Sequence, residues 1–280
     1  SIDVTTSNQT RTGTGTFANM QKVTQSLGNL VVDMSIVPYM RNVNVLFMGS
    51  DFKPYTTLFP FFDGKPVNNY VSAANRFTLA QNNLALKTTV GSPELVYIKD
   101  SSNNIKGSGY AVHSANNVLY VANLEAIDSW TFVKSGGAKI VGAVSGQTYY
   151  ISNFEHSAGQ ALAGSTTTIT LSMTASGANN YTEFVGKPLF ITSGTGAGQQ
   201  GTITDYNVST RVATVSGLTT APAGDSLYAV GRPKTDSSGS IAGVFVVPAA
   251  TSSATVCKSI AALTSPVAVA NLLKLTLNSV

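Results

Sequence analysis

Charge is the scarcest commodity in this sequence. Asp, Glu, Lys and Arg make up only 11% of the 280 residues, against about 25% in an ordinary soluble domain. Lys and Arg number 17 and Asp and Glu 13, a net +4, and the basic residues are scattered. Without a basic block or stripe, a nucleic-acid footprint is not expected. Cysteine is nearly absent too. Cys257 stands alone, so it can close no disulfide within the chain and cannot build a zinc site by itself. It reads as a small buried hydrophobe. No run of about 18 apolar residues occurs, so no helical membrane insertion is expected. Histidine is limited to His113 and His156. With no Gly-x-Ser-x-Gly elbow near them, both read as exposed turn residues rather than as a catalytic base or metal ligands.

What is abundant is Thr, Ser, Asn and Gly beside a 43% hydrophobic fraction. These polar types favour turns and strands and make poor helices. Short alternating segments recur at "ELVYIKD", "NVLYVANL", "AKIVGAV", "TYYISNFE", "TTITLSM", "PLFITS", "GTITDYN", "RVATVSG" and "SLYAVG". Gly, Asn and Ser stand at the joints, and spacings of this kind belong to sandwiches and barrels. Val43, Val45 and Phe47 alternate with Asn44 and Leu46, and Leu273, Leu275 and Leu277 with Lys274 and Thr276. Both read as half-buried strands. "IAGVFVVPAA" is a further strand, and "SSNNIKGSG" a turn. The best candidate for a helix is Tyr70 to Lys87, interrupted by Asn82-Asn83.

The predicted fold is therefore all-β: several small antiparallel sandwich or barrel modules with an extended N-terminal arm. The predicted divisions are an arm or linker over 1–29, a β-rich segment over 30–90, a meander over 91–155, a β module over 156–232 and a C-terminal β segment over 233–280.

Candidate chemistry is thin. "ITSGTGAGQQGTITDYN" places Gly194, Gly196 and Gly198 after an apolar segment, as a phosphate loop would. The triphosphate form needs a following Gly-Lys-Ser/Thr; the dinucleotide form, counted from Gly194, needs a third Gly where Gln199 stands, and in any frame a helix must follow. A strand follows instead, so the run reads as a connection whose glycines take backbone angles closed to other residues. "DSSNN" at Asp100 and "DSSGS" at Asp236 each offer one carboxylate and lack the closing glutamate of a calcium loop, so both read as Asx or Ser turns. Glycan cleavage needs two carboxylates across a cleft. Asp128, Glu155, Glu183, Asp205 and Asp225 are not paired by spacing. Trp130, Tyr149 and Tyr150 could stack on sugars, but on strands they read as core or cross-strand residues. No catalytic, cofactor-binding or metal-binding residue is assigned, no cofactor is expected, and the chain reads as a non-enzyme.

Three stretches resemble virion structural proteins of tailed bacteriophages. The first runs from Val31, Val32 and Asp33 through Pro38, Tyr39, Met40 and Arg41 to the "FPFFDG" of Phe59 to Gly64. The second is the "GTGAGQ", "I-DY", "T--ATV", "P---S-Y" series within residues 155–232. The third is "DSSGSIAGVFVVPA" from Asp236. Leu218-Thr219 stands where that family carries an aromatic, and the family's "F-TG" continuation is missing after Ala249. The resemblance implies a tail-fibre or baseplate-periphery protein that connects the tail to host-recognition parts, made in the host cytoplasm and located in the virion. It implies a homotrimer that contacts other tail or baseplate proteins and has no catalytic set. Alternatives are a module that binds host surface polysaccharide, or a capsid decoration protein.

Overall fold

The computed structural model describes residues 43–248, except 63, 89, 127–129, 135 and 176–182, together with a strand at 273–277. The expected arm over 1–29, the "PYMR" motif, Asp128 and Cys257 lie outside the described residues. Along the chain, β1 (Asn44–Gly49), β2 (Leu58–Phe62), β3 (Lys65–Pro66) and β4 (Val71–Ala73) come first, with a 3-10 turn at Asn68–Tyr70. Next come β5 (Asn75–Leu79), β6 (Glu94–Lys99), β7 (Ile105–Ala115), β8 (Val118–Ala126), β9 (Trp130–Phe132), β10 (Lys139–Gly142) and β11 (Thr148–Glu155). Then follow β12 (Ala158–Gly164), β13 (Thr168–Leu171), β14 (Met173–Ala175), β15 (Pro188–Ser193), β16 (Gln200–Asn207), β17 (Val212–Ser216) and β18 (Leu227–Val230). The last are β19 (Ile241–Val246) and β20 (Leu273–Leu277).

The protein is all-β, as its composition implies. Two closed six-stranded barrels stand in tandem. The first has the order β10-β11-β5-β8-β7-β6, and the second β12-β13-β17-β16-β15-β18. Closure removes the open edges on which strand proteins aggregate. Each interior is filled by alternate side chains: Glu94, Val96 and Ile98 point inward from β6 and are buried, while Leu95, Tyr97 and Lys99 are half-buried. Phe77, Ile98, Leu119, Ile140 and Phe154 fill the first barrel, and Ile169, Phe184, Leu189, Ile203 and Tyr228 the second. The alternation slips once in β11, at Ser152, and once in β16, at Thr204, where the pairing register shifts. Such bulges bend a strand, which a small closed barrel requires.

A third unit joins the two ends of the described chain. β19 lies between β1 and β4 in an antiparallel sheet. All six residues of β19 are buried. Ile241 and Phe245 face Val45, Phe47, Phe62 and Val71, whereas Ala242, Val244 and Val246 pack on Val112, Tyr120 and Ala122 of the first barrel. A strand covered on both faces needs apolar residues at every position, which explains "IAGVFVV". Gly243 is the exception, because a Cβ there would strike the Phe47 ring and the Ser72 carbonyl. β20 and β3 flank β2 in a small separate sheet.

Three expectations need correction. The helix over Tyr70 to Lys87 is absent: β4, β5 and a turn-rich connection occupy it. Burial of Phe77 and Leu79 in the first barrel overrides whatever helical pattern the segment carries. The turn read over "SSNNIKGSG" ends earlier, since β7 starts at Ile105 and runs for 11 residues. The glycines at 107 and 109 belong to that strand, and at Gly109 a Cβ would meet Val121 of β8. Finally, neither histidine is an exposed turn residue: His156 is 8% exposed and sits between the barrels, and His113 is half-buried within strand β7.

Candidate functional site

The joint between the barrels sets the geometry of the site. β11 ends at Glu155 and β12 starts at Ala158. Asn75, only 1% exposed, clamps this short passage. Its Oδ1 accepts from the amides of Ser157 (2.8 Å) and Ala158 (3.2 Å), and its Nδ2 donates to the Ala158 carbonyl (2.8 Å). The His156 ring lies among Phe154 of the first barrel and Phe184 and Tyr228 of the second. Its Nε2 is 2.9 Å from the Tyr228 hydroxyl, while Nδ1 is buried with no hydrogen-bond partner among the described residues. Burial, assisted by the charge of Lys187, holds the imidazole pKa down to about 3. His156 is therefore a neutral pin.

Above this joint the three units leave a cleft of about 410 Å³. Ala73, Ala74 and Ala242 keep its walls low, and Gly231 adds no side chain. Six of its seventeen lining residues are charged: Arg76, Glu155, Glu183, Lys187, Arg232 and Lys234. In a chain with 11% charged residues, that is a marked concentration. Arg76 from β5 and Glu155 from β11 form a two-point pair, with Nε donating to Oε2 at 3.0 Å and an Nη2 bond to Oε1. Burial alone would lower the Arg76 pKa, but Glu155 first, with Tyr120 and Asp236, outweighs burial and the net direction is upward. Glu183 is exposed at the rim. Desolvation by the surrounding protein raises its carboxyl pKa, against the opposing pull of Lys187.

Arg232 is held by aromatic rings: its guanidinium carbon lies 4.9 Å from the Phe59 centroid and 5.9 Å from that of Phe190. Lys234 Nζ lies 5.7 Å from the Tyr55 centroid. Such contacts orient a cation without neutralising it. Behind the cleft, the Tyr120 hydroxyl donates to Asp236. Burial first, and then this carboxylate, push the Tyr120 pKa up. Burial would raise Asp236 in turn, but hydrogen bonds from Tyr120, Ser238 and Ser240 outweigh it and lower the pKa.

The other sequence candidates fall elsewhere. Asp225 accepts from the amide and hydroxyl of Thr195, both at 3.0 Å, so it fastens the glycine run. Asp205 accepts from the adjacent Tyr206 amide at 2.9 Å. Asp100 and Asp236 organise their own turns through Asn104, Ser238 and Ser240. His113 is half-buried on β7, its ring 5.0 Å from that of Tyr120. Burial lowers its pKa, with Asp236 opposing. Trp130 and Tyr149 lie in the core of the first barrel, and Tyr149 accepts from the Ala85 amide at 2.6 Å. Tyr150 is 49% exposed. Among the described residues, no three His, Cys, Asp or Glu side chains cluster as metal ligands.

The structure thus brings Glu155, His156 and Glu183 together, which spacing alone did not. It adds Arg76, Lys187, Arg232 and Lys234, which sequence reasoning missed. The one local signal was "GRPKTD", two cations close together at the end of β18 in a charge-poor chain. No family model matches the chain, and no curated protein or solved structure is significantly similar to it.

Proposed function

We propose that the chain is a structural, non-catalytic component of a tailed-bacteriophage virion, a tail-fibre or baseplate-periphery protein that assembles as a homotrimer. The supporting observation is where the residues of the resemblance lie. They are joints. Gly194, Gly196 and Gly198 all have φ between +75° and +87°, and the run they form meets the 3-10 turn of the third unit: the Asn69 side-chain amide donates to the Gly198 carbonyl at 2.7 Å. Phe62 of "FPFFDG" packs against Phe245 with its ring tilted, centroids 5.2 Å apart. Gly239 of "DSSGSIAG" has φ +76°, and a Cβ there would collide with the Phe52 carbonyl. Side chains and glycines used to fix modules to one another suit a rigid connecting part. A charge-poor surface is also weakly protected against self-association, and closed symmetric assembly is the common outcome for such parts.

The test is a reconstruction of the phage particle whose genome encodes this chain, together with the mass of the purified protein in solution. Density for two stacked barrels at the tail periphery and a mass three times that of the chain are expected. Density on the capsid surface would replace this reading with a decoration role, and a monomer would remove the trimer. The proposal extends to residues 1–29 as an arm that docks on the tail, and their deletion checks it: appendages that still attach normally would sink it.

A further inference from the structure

We infer that the cleft where the two barrels meet the third unit is a binding site for an acidic saccharide, its carboxylate or sulfate held by Lys187, Arg232 and Lys234 and its hydroxyls by Glu155 and Glu183. The inference stands on the cleft and is independent of the virion reading. A volume of about 410 Å³ lies within the ~300–1,000 Å³ range of small-ligand sites. Its lining carries four cations against two carboxylates, so an anion is favoured over a neutral or basic ligand. Among the described residues, the salt bridges join Arg76 to Glu155 and Lys106 to Asp100. Lys187, Arg232 and Lys234 close none of them.

Arg232 is the best-prepared of the three. Its guanidinium carbon lies over the Phe59 and Phe190 rings, and a guanidinium held by ring contacts rather than by a carboxylate has N–H donors left for a planar or tetrahedral oxyanion. Lys187 and Lys234 are exposed at the rim and supply point charges. The two carboxylates select against a bare inorganic anion, which they would repel. They are suited to hydroxyl donors, and each carboxylate oxygen of Glu155 keeps a lone pair after its bond to Arg76. An anion that also carries a ring of hydroxyls satisfies both halves of the lining. Because Glu155 comes from the first barrel, Lys187 from the second and Lys234 from the third unit, such a ligand would tie all three units together.

The experiment is a calorimetric titration of the full chain with glucuronate, inorganic sulfate and glucose, at low and at high salt. Saturable glucuronate binding that weakens with salt, with sulfate weaker and glucose undetected, is the expected result. Lys187→Gln and Lys234→Gln should each weaken glucuronate about tenfold, the worth of one charge-assisted hydrogen bond. Lys134→Gln, an exposed change on the first barrel, should leave binding unaltered. Both rim lysines lie outside the core, so unchanged melting temperatures would show that the variants fold. The inference fails if glucuronate does not saturate in the tens of millimolar, or if the two rim variants bind as well as the parent. Sulfate binding as tightly as glucuronate would overturn the saccharide assignment, and glucose binding equally well would overturn the role of the cations.

Discussion

At the scale of single residues, His156 has the most to lose from acid. Its folded pKa lies near 3, far below the ordinary value of about 6.5. The unfolded chain therefore binds a proton through the range between these values, and the folded chain does not. Stability from the neutral imidazole is fully present above pH 6.5 and is lost as the pH falls toward 3. We expect about 2 kcal/mol to go between roughly pH 7.5 and pH 5 from this group alone. Glu94 acts lower down. It is 4% exposed and accepts from the amides of Val144 and Ser145. Burial would raise its pKa, but hydrogen bonds from Ser145, Lys87 and Val144 outweigh it and the shift is downward, so its contribution is present above its ordinary value and fades below it. His156→Phe keeps an aromatic ring among Phe154, Phe184 and Tyr228 and removes the proton site. Urea unfolding across this range should give the variant a flatter dependence on pH than the parent. Equal slopes would show that His156 is not held neutral.

At the scale of elements, the hairpin between β15 and β16 shows what glycine does here. Gly198 has φ +87°, and a Cβ would collide with the Tyr70 hydroxyl. Gly198→Ala should cost about 1–2 kcal/mol for the backbone angle, and more for the collision. Tyr70→Phe removes the struck atom, so the double variant should be less destabilised than the two single changes added together. Strict additivity in urea melts would mean that the hairpin does not dock on the 3-10 turn. The hairpin itself was legible: no lysine, no helix and a following strand marked the run as a connection. Most strands were legible for the same local reason, because Val96 and Ile98, or Ile203 beside Thr202 and Thr204, alternate plainly. β5 was not, since Asn75 and Arg76 are polar residues with partners that only the tertiary fold supplies, at Ala158 and Glu155. The cleft was hidden more deeply. Its cations lie at 76, 187, 232 and 234, and only closure of two barrels and return of β19 bring them together. His156 misled for a related reason: a lone histidine in a polar joint carries no local mark of burial.

At the scale of the whole molecule, the issue is whether two closed barrels behave as independent beads. Each has its own core, and closed barrels need no neighbour to satisfy their edges. Three ties argue for one unit. Asn75 of the first barrel binds the first residues of the second. β9 and β14 pair in parallel across the joint, and the Trp130 amide donates to the Ser172 carbonyl at 3.0 Å. The third sheet lays β19 along the first barrel, and its loop shares the cleft with the second. Trp130 is the single tryptophan of the chain and lies in the first barrel's core, so its fluorescence follows that barrel, whereas far-ultraviolet circular dichroism follows both. The two signals should lose structure at one denaturant concentration, as a two-state unit does. Asn75→Ala leaves two backbone amides and a carbonyl without their partner in a buried joint, at about 2–4 kcal/mol. With the parallel pair intact, both signals should shift down together by that amount. A circular-dichroism loss that precedes the tryptophan change, in the parent or the variant, would mean that the second barrel unfolds alone and that the joint is a hinge rather than a weld. In that case the cleft, which needs all three units in place, would form only while the hinge is closed, and acidic-saccharide binding would bring the two transitions back together by stabilising the assembled form.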